Sequence, residues 1–125
     1  MISTRKPPLF IMGLVAVVLF ATGWSSFHNR LKKSQPDKDE VLSASPAEIR
    51  LWFEQKPELK LSSITLSGPG KTQVTLDSLR GTDDPLSIAK SIPRPLAPGT
   101  YTVGWRTSGT DGHVIRGSFP FTIKP

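Results

Sequence analysis

Two side chains near the end of the chain have the types and spacing for metal chemistry. Asp111 and His113 flank Gly112 in the run Ser108-Gly-Thr-Asp-Gly-His113. In an extended backbone, residues two apart project to the same face, so a carboxylate and an imidazole point together. One imidazole nitrogen and one carboxylate oxygen make half of a square-planar N,O set, the preference of Cu(II). Two more donors are needed. His28, the only other histidine in the chain, could chelate through amine and ring together if processing made it the first residue. Glu54 is a further carboxylate that could approach. Against this stands the plain alternative: Asp-Gly turns are common because both residues tolerate positive φ, and spacing alone favours a turn with an ordinary surface histidine.

The elements that must hold this pair read as two alternating runs across residues 99–123. Tyr101, Val103 and Trp105 share one side of the first run, and Ile115, Phe119, Phe121 and Ile123 share one side of the second. Period-two alternation around an Asp-Gly predicts a hairpin. Upstream, Ile49, Leu51 and Phe53 alternate with Arg50, Trp52 and Glu54. Residues 60–67 set Leu61 apart from Ile64 and Leu66, which predicts a bulge near Ser62 and Ser63. Residues 71–76 alternate through Val74 and Leu76, residues 29–35 read as an edge strand around Leu31, and residues 86–92 as a weak strand or irregular segment. Pro46 forbids a continuous ladder through residues 41–53. About seven short strands separated by turn signals predict an all-β, immunoglobulin-like antiparallel sandwich. Its inward residues are Ile49, Leu51, Phe53, Ile64, Leu66, Val74, Leu76, Val103, Trp105, Phe119, Phe121 and Ile123.

With 125 residues the chain has room for one domain. Its net charge of +6 comes from scattered residues, Arg30, Lys32 and Lys33 being the one tight group. Nucleic-acid binders gather such residues on one face beside exposed aromatics, so nucleic acid is not an expected partner. The absence of cysteine excludes disulfides, cysteine-bound zinc and thiol nucleophiles. Arg5 and Lys6 precede an unbroken apolar run at residues 9–21, the pattern of an export signal or signal anchor over residues 1–27. That run is shorter than the roughly 20 residues of a spanning helix. The remainder, residues 28–125, is expected outside the inner membrane, touching a membrane only through the N-terminal segment if that stays uncut.

Three patches resemble the periplasmic copper-resistance C (CopC) family. They are His28-Asn-Arg-Leu-Lys-Lys-Ser-Gln-Pro36; Ala44-Ser-Pro-Ala-Glu-Ile-Arg-Leu-Trp-Phe-Glu54; and Gly99-Thr-Tyr-Thr-Val-Gly-Trp-Arg106 followed by Ser108-Gly-Thr-Asp-Gly-His113 and Arg116-Gly-Ser-Phe119. The resemblance implies a β-sandwich that binds Cu(II) in the periplasm. Its ligands fall on His28, Asp111 and His113, with Glu54 near the metal in some members. It also implies a copper carrier or buffer in copper resistance, with an inner-membrane copper transport protein as partner. Two departures stand out. Ser25-Ser26-Phe27 precedes His28 where the family has an Ala-x-Ala cut, and Ala21-Thr22-Gly23 offers a different site. Cleavage there, or none, removes the amine ligand. Methionine occurs only at Met1 and Met12, so soft donors for Cu(I) are missing and the expectation is Cu(II) alone.

Catalysis is not expected, because Ser108 stands near His113 without an orienting third group. Two other functions are carried forward. One is a membrane-tethered interaction module without metal; the other is a histidine-brace copper oxidase, which an acidic ligand such as Asp111 disfavours. Arg106 and Arg116 read either as groups that orient Asp111 or as outward residues of edge strands. Trp52 reads as packed under a loop or as part of a partner surface.

Overall fold

The computed structural model describes residues 29–125. Among these residues the chain forms nine strands and no α-helix: β1 (Leu31–Gln35), β2 (Val41–Leu42), β3 (Glu48–Phe53), β4 (Ser63–Ser67), β5 (Gln73–Val74), β6 (Arg80–Gly81), β7 (Ser87–Ser91), β8 (Gly99–Ser108) and β9 (Val114–Ile123). They make a four-stranded sheet of order β1-β3-β7-β6 and a five-stranded sheet of order β2-β9-β8-β4-β5. Every pairing is antiparallel except β2 with β9, which is parallel. The sandwich expected from the turn spacing is present, with two-residue strands accounting for the larger strand number. The apolar run at residues 9–21 and His28 lie outside the described residues.

Alternation explains the core. Ile49, Leu51 and Phe53 of β3 face Ile64 and Leu66 of β4, Val103 of β8 and Phe119 and Phe121 of β9 in one cluster, and Tyr101 and Ile88 join it. Tyr101 stacks on Phe121 at 5.6 Å, its register partner, and its hydroxyl donates to the Ala97 carbonyl at 2.7 Å. That bond to a carbonyl four residues upstream is the corner seen in immunoglobulin-like sandwiches. Trp105 meets Phe53 edge-on at 5.5 Å and bridges the two sheets.

Three local expectations change, and the one at Pro46 is met. Residues 59–61 form a 3-10 turn that ends at Ser62, so β4 starts cleanly at Ser63 and no bulge is needed; Leu59 and Leu61 remain exposed. The irregularity lies instead in β1, between Leu31 and Lys33. Residues 87–91 form an inner strand between β3 and β6, with Ile88 and Ala89 buried. Short Ser and Ala residues there hid the pattern. Pro46 falls where the chain leaves β2 in one sheet and enters β3 in the other, which is why no ladder runs through it. Trp52 is neither under a loop nor a partner surface. Lys33 and Arg50 each lie 4.5 Å from its ring centre and leave it 9% exposed.

Gly117 is required by packing. It pairs with Trp105 across β8 and β9, and a Cβ there would sit 2.6 Å from the indole Cζ2 and 2.8 Å from Cε2. Gly117→Val therefore forces the indole off its seat against Phe53. The expected loss is about 1–3 kcal/mol, read as a melting point lowered by about 4–8 °C per kcal/mol. An unchanged melting curve would contradict this packing.

Candidate metal centre

The hairpin carries the candidate turn at residues 109–113, between the last residue of β8 and the first of β9. The Gly112 N–H donates to the Gly109 carbonyl at 3.2 Å, and Gly112 has φ of +79°, a left-handed conformation that favours glycine. Asp111 closes a second small ring: its Oδ1 accepts the His113 backbone N–H at 3.1 Å. Its Oδ2 lies 3.1 Å from His113 Nδ1. One carboxylate thus fixes both the backbone and the ring of His113. The imidazole remains 69% exposed while the Asp111 side chain is 20% exposed, so an ion can reach the pair from solvent.

The start of the described chain is fastened to the same end of the sandwich. Asn29 is buried, and its carboxamide makes three hydrogen bonds. Its Nδ2 donates to the Gln55 carbonyl at 3.1 Å, and its Oδ1 accepts the N–H groups of Gln55 at 2.9 Å and Arg30 at 3.0 Å. The Glu54 N–H adds a bond to the Arg30 carbonyl at 2.9 Å. Gly109 marks how tightly these segments meet. A Cβ on it would lie 2.7 Å from Gln55 Oε1, 3.4 Å from Asn29 Cβ and 3.7 Å from Asp111 Oδ1. Residues 29, 55, 109 and 111, far apart in sequence, converge on one point.

Asp111 and His113 are therefore brought together. Glu54 is exposed and does not complete a set with them: among the described residues no three His, Cys, Asp or Glu side chains gather as a metal-holding group. Its neighbour Gln55 is the residue at the turn, a contact that alternation along β3 did not reveal because the strand stops at Phe53. His28 lies outside the described residues. Ser108 is fully buried and its hydroxyl donates to the Gly109 carbonyl at 3.1 Å, so it is engaged with the backbone. Arg106 and Arg116 pair directly across β8 and β9, inner strands of their sheet and not edge strands. Neither makes an ion pair or hydrogen bond with Asp111 among the described residues.

Residues 31–124 match the model of the CopC domain, and the chain belongs to that family. Among its relatives, copper resistance protein C of Escherichia coli is 35% identical over 120 residues, covering 90% of this chain and 91% of that protein. Protein YobA of Escherichia coli K12 is 28% identical over 126 residues, covering 99% of this chain and all of that protein. The crystal structure of PcoC, a methionine-rich copper resistance protein from Escherichia coli, superposes with a TM-score of 0.70 at 33% identity, over 78% of this chain and 99% of that one. Where that protein is methionine-rich, this chain has methionine only at positions 1 and 12.

The carboxamide of Asn29 is what fastens the chain start to the turn. Asn29→Ala leaves two N–H groups and a carbonyl without their partner. Stability measured by urea unfolding is expected to fall by about 1–3 kcal/mol. A loss below a few tenths would mean that water replaces the carboxamide at no cost.

Proposed function

We propose that this protein binds Cu(II) outside the inner membrane, in the periplasm, as a carrier or buffer in copper resistance, and that it is not an enzyme. The observation that carries the reading is the 3.1 Å separation of Asp111 Oδ2 and His113 Nδ1. Two ligands about 2.0 Å from one ion at right angles stand about 2.8 Å apart. The two atoms that face each other across the turn are thus spaced to share a cupric ion. Asp111 supplies an anionic oxygen and His113 an imidazole nitrogen.

His28 completes the set in this proposal, with Glu54 outside it. Support for His28 is covalent: it is one peptide bond from Asn29, whose own Cβ is 3.4 Å from a Cβ built on Gly109 of the turn, and adjacent Cα atoms are about 3.8 Å apart. Where processing frees the His28 amine, amine and ring make a chelate; a longer N-terminus leaves the ring alone. Oxygen and nitrogen donors without methionine or cysteine suit Cu(II) and not Cu(I). The names of the relatives, copper resistance protein C among them, point to the same metal. An inner-membrane copper transport protein is the proposed recipient.

Copper titration followed by electron paramagnetic resonance tests this. Wild type is expected to bind one Cu(II) with nitrogen and oxygen donors, and His113→Ala to weaken binding by on the order of 100-fold. Wild-type affinity in His113→Ala would remove the turn from the site and with it the proposal. A second expectation separates the role of His28. Mass spectrometry of the exported chain gives its first residue, and a preparation beginning at His28 binds Cu(II) more tightly than one beginning earlier. Equal affinities would exclude the amine as a ligand.

A further inference from the structure

The outer face of the five-stranded sheet carries a charge arrangement that copper binding does not use. Not one of its five strands contains an aspartate or glutamate. In its middle, Arg106 of β8 and Arg116 of β9 are direct cross-strand partners, and both are exposed. Cβ atoms of such partners are about 4.5–5.5 Å apart, and like charges so placed repel. Neither guanidinium has an ion-pair or hydrogen-bond partner among the described residues. Two forks held side by side with no internal counter-charge are built to receive an external anion, and the planar guanidinium matches a carboxylate through two parallel bonds.

The surroundings of the pair define what fits. The arginines line a shallow cleft of about 470 Å³ together with the hydroxyl-bearing Ser63, Thr65 and Ser118. Gly104 opens its floor, since a Cβ there would meet Thr65 Oγ1 at 2.6 Å. The cleft shares Trp105, Gly117 and Ser118 with a neighbouring one that runs to Lys32 and Lys38, and Asp37 is the only acidic side chain lining either. Positive charge therefore continues from the sheet face to β1. The outward positions 100, 102, 104 and 118 hold Thr, Thr, Gly and Ser; Trp105, the one aromatic lining the cleft, is set edge-on against Phe53, and the single exposed Val114 is too little apolar surface to enter a bilayer. A polar face with paired arginines and hydroxyl donors is suited to the carboxylates of a polypeptide.

We propose that the outer face of the β9-β8-β4 strands is a docking site for an acidic segment of a partner protein, with Arg106 and Arg116 gripping its carboxylates. Arg116 is three residues from His113 on the same strand and turn, and the exposed Val114 lies between them. A segment seated on the arginines therefore lies beside the open imidazole. The proposal needs no metal at the turn.

Fluorescence anisotropy of a fluorescein-labelled hexaglutamate peptide with the full chain tests it. The double variant Arg106→Gln/Arg116→Gln is expected to weaken peptide binding about tenfold, with an unchanged circular dichroism spectrum and melting point. Lys56→Gln/Lys124→Gln removes the same charge from exposed positions that line neither cleft and is expected to leave binding near wild type. Equal losses in the two double variants would reduce the effect to net charge and overturn the proposal. So would an absence of peptide binding by wild type, or competition by inorganic phosphate at the same carboxylate-equivalent concentration. Arginine-dependent binding to phosphatidylglycerol vesicles without binding to the peptide would assign the face to lipid and overturn it too. Copper titration of the same variants is a separate reading, so loss of the metal proposal and loss of this one are told apart.

Discussion

The geometry of this molecule at the end that carries the β8–β9 turn depends on one buried carboxamide. Asn29 presents a donor and an acceptor to the end of β3, and those bonds close a loop between two residues 26 positions apart. A buried polar group of this kind is costly unless all its bonds are made, and here the amide nitrogen and oxygen both find backbone partners. That all-or-none requirement sets where the chain enters the sandwich. Because Gln55 and Asn29 also crowd Gly109, the entry point and the β8–β9 turn are held in fixed relation. The pairing of Asp111 with His113 is then a local matter of a two-residue ring.

Much of this was legible from side-chain alternation. β3, β8 and β9 are long or regular enough for period two to show, and the residues expected inward from them are those that form the core. The Asp-Gly signal located the turn because only glycine is at ease in the left-handed conformation that Gly112 adopts. What stayed hidden has physical reasons. β7 carries Ser, Ile, Ala, Lys and Ser, too small and too polar to alternate visibly, yet being an inner strand it is buried by its neighbours and not by its own character. The 3-10 turn at residues 59–61 counterfeited a bulge, since a tight turn and an extra residue shift apolar phase alike. Trp52 looked like a mismatch on its face because nothing in the local pattern reveals that a lysine on one neighbour strand and an arginine on its own will cover it.

Proximity in sequence sufficed to show that Asp111 and His113 meet, while Glu54 does not gather with them among the described residues. A carboxylate just past a strand end appears well placed when only strand direction is considered. The chain there bends into bonds with residues 29 and 30, and Gln55 takes the position beside the turn. Arg106 and Arg116 were misplaced for a related reason: sequence shows that they flank a turn but not that β4 and β2 lie outside them, which makes their strands interior and their side chains neighbours on one face.

Residues 110–113 of the turn protrude beyond Gly109, the last buried residue of the hairpin's first arm, and none of their side chains belongs to the apolar core. Selection on solubility and fold therefore acts on one group of positions, and selection on ligand chemistry on another. Substitutions at residues 110–113 would retune the proposed cation site with little effect on the core, whereas Gly109 answers to both. Under the proposed site, descent from a common sandwich and retention of a common cargo would be independently inherited traits.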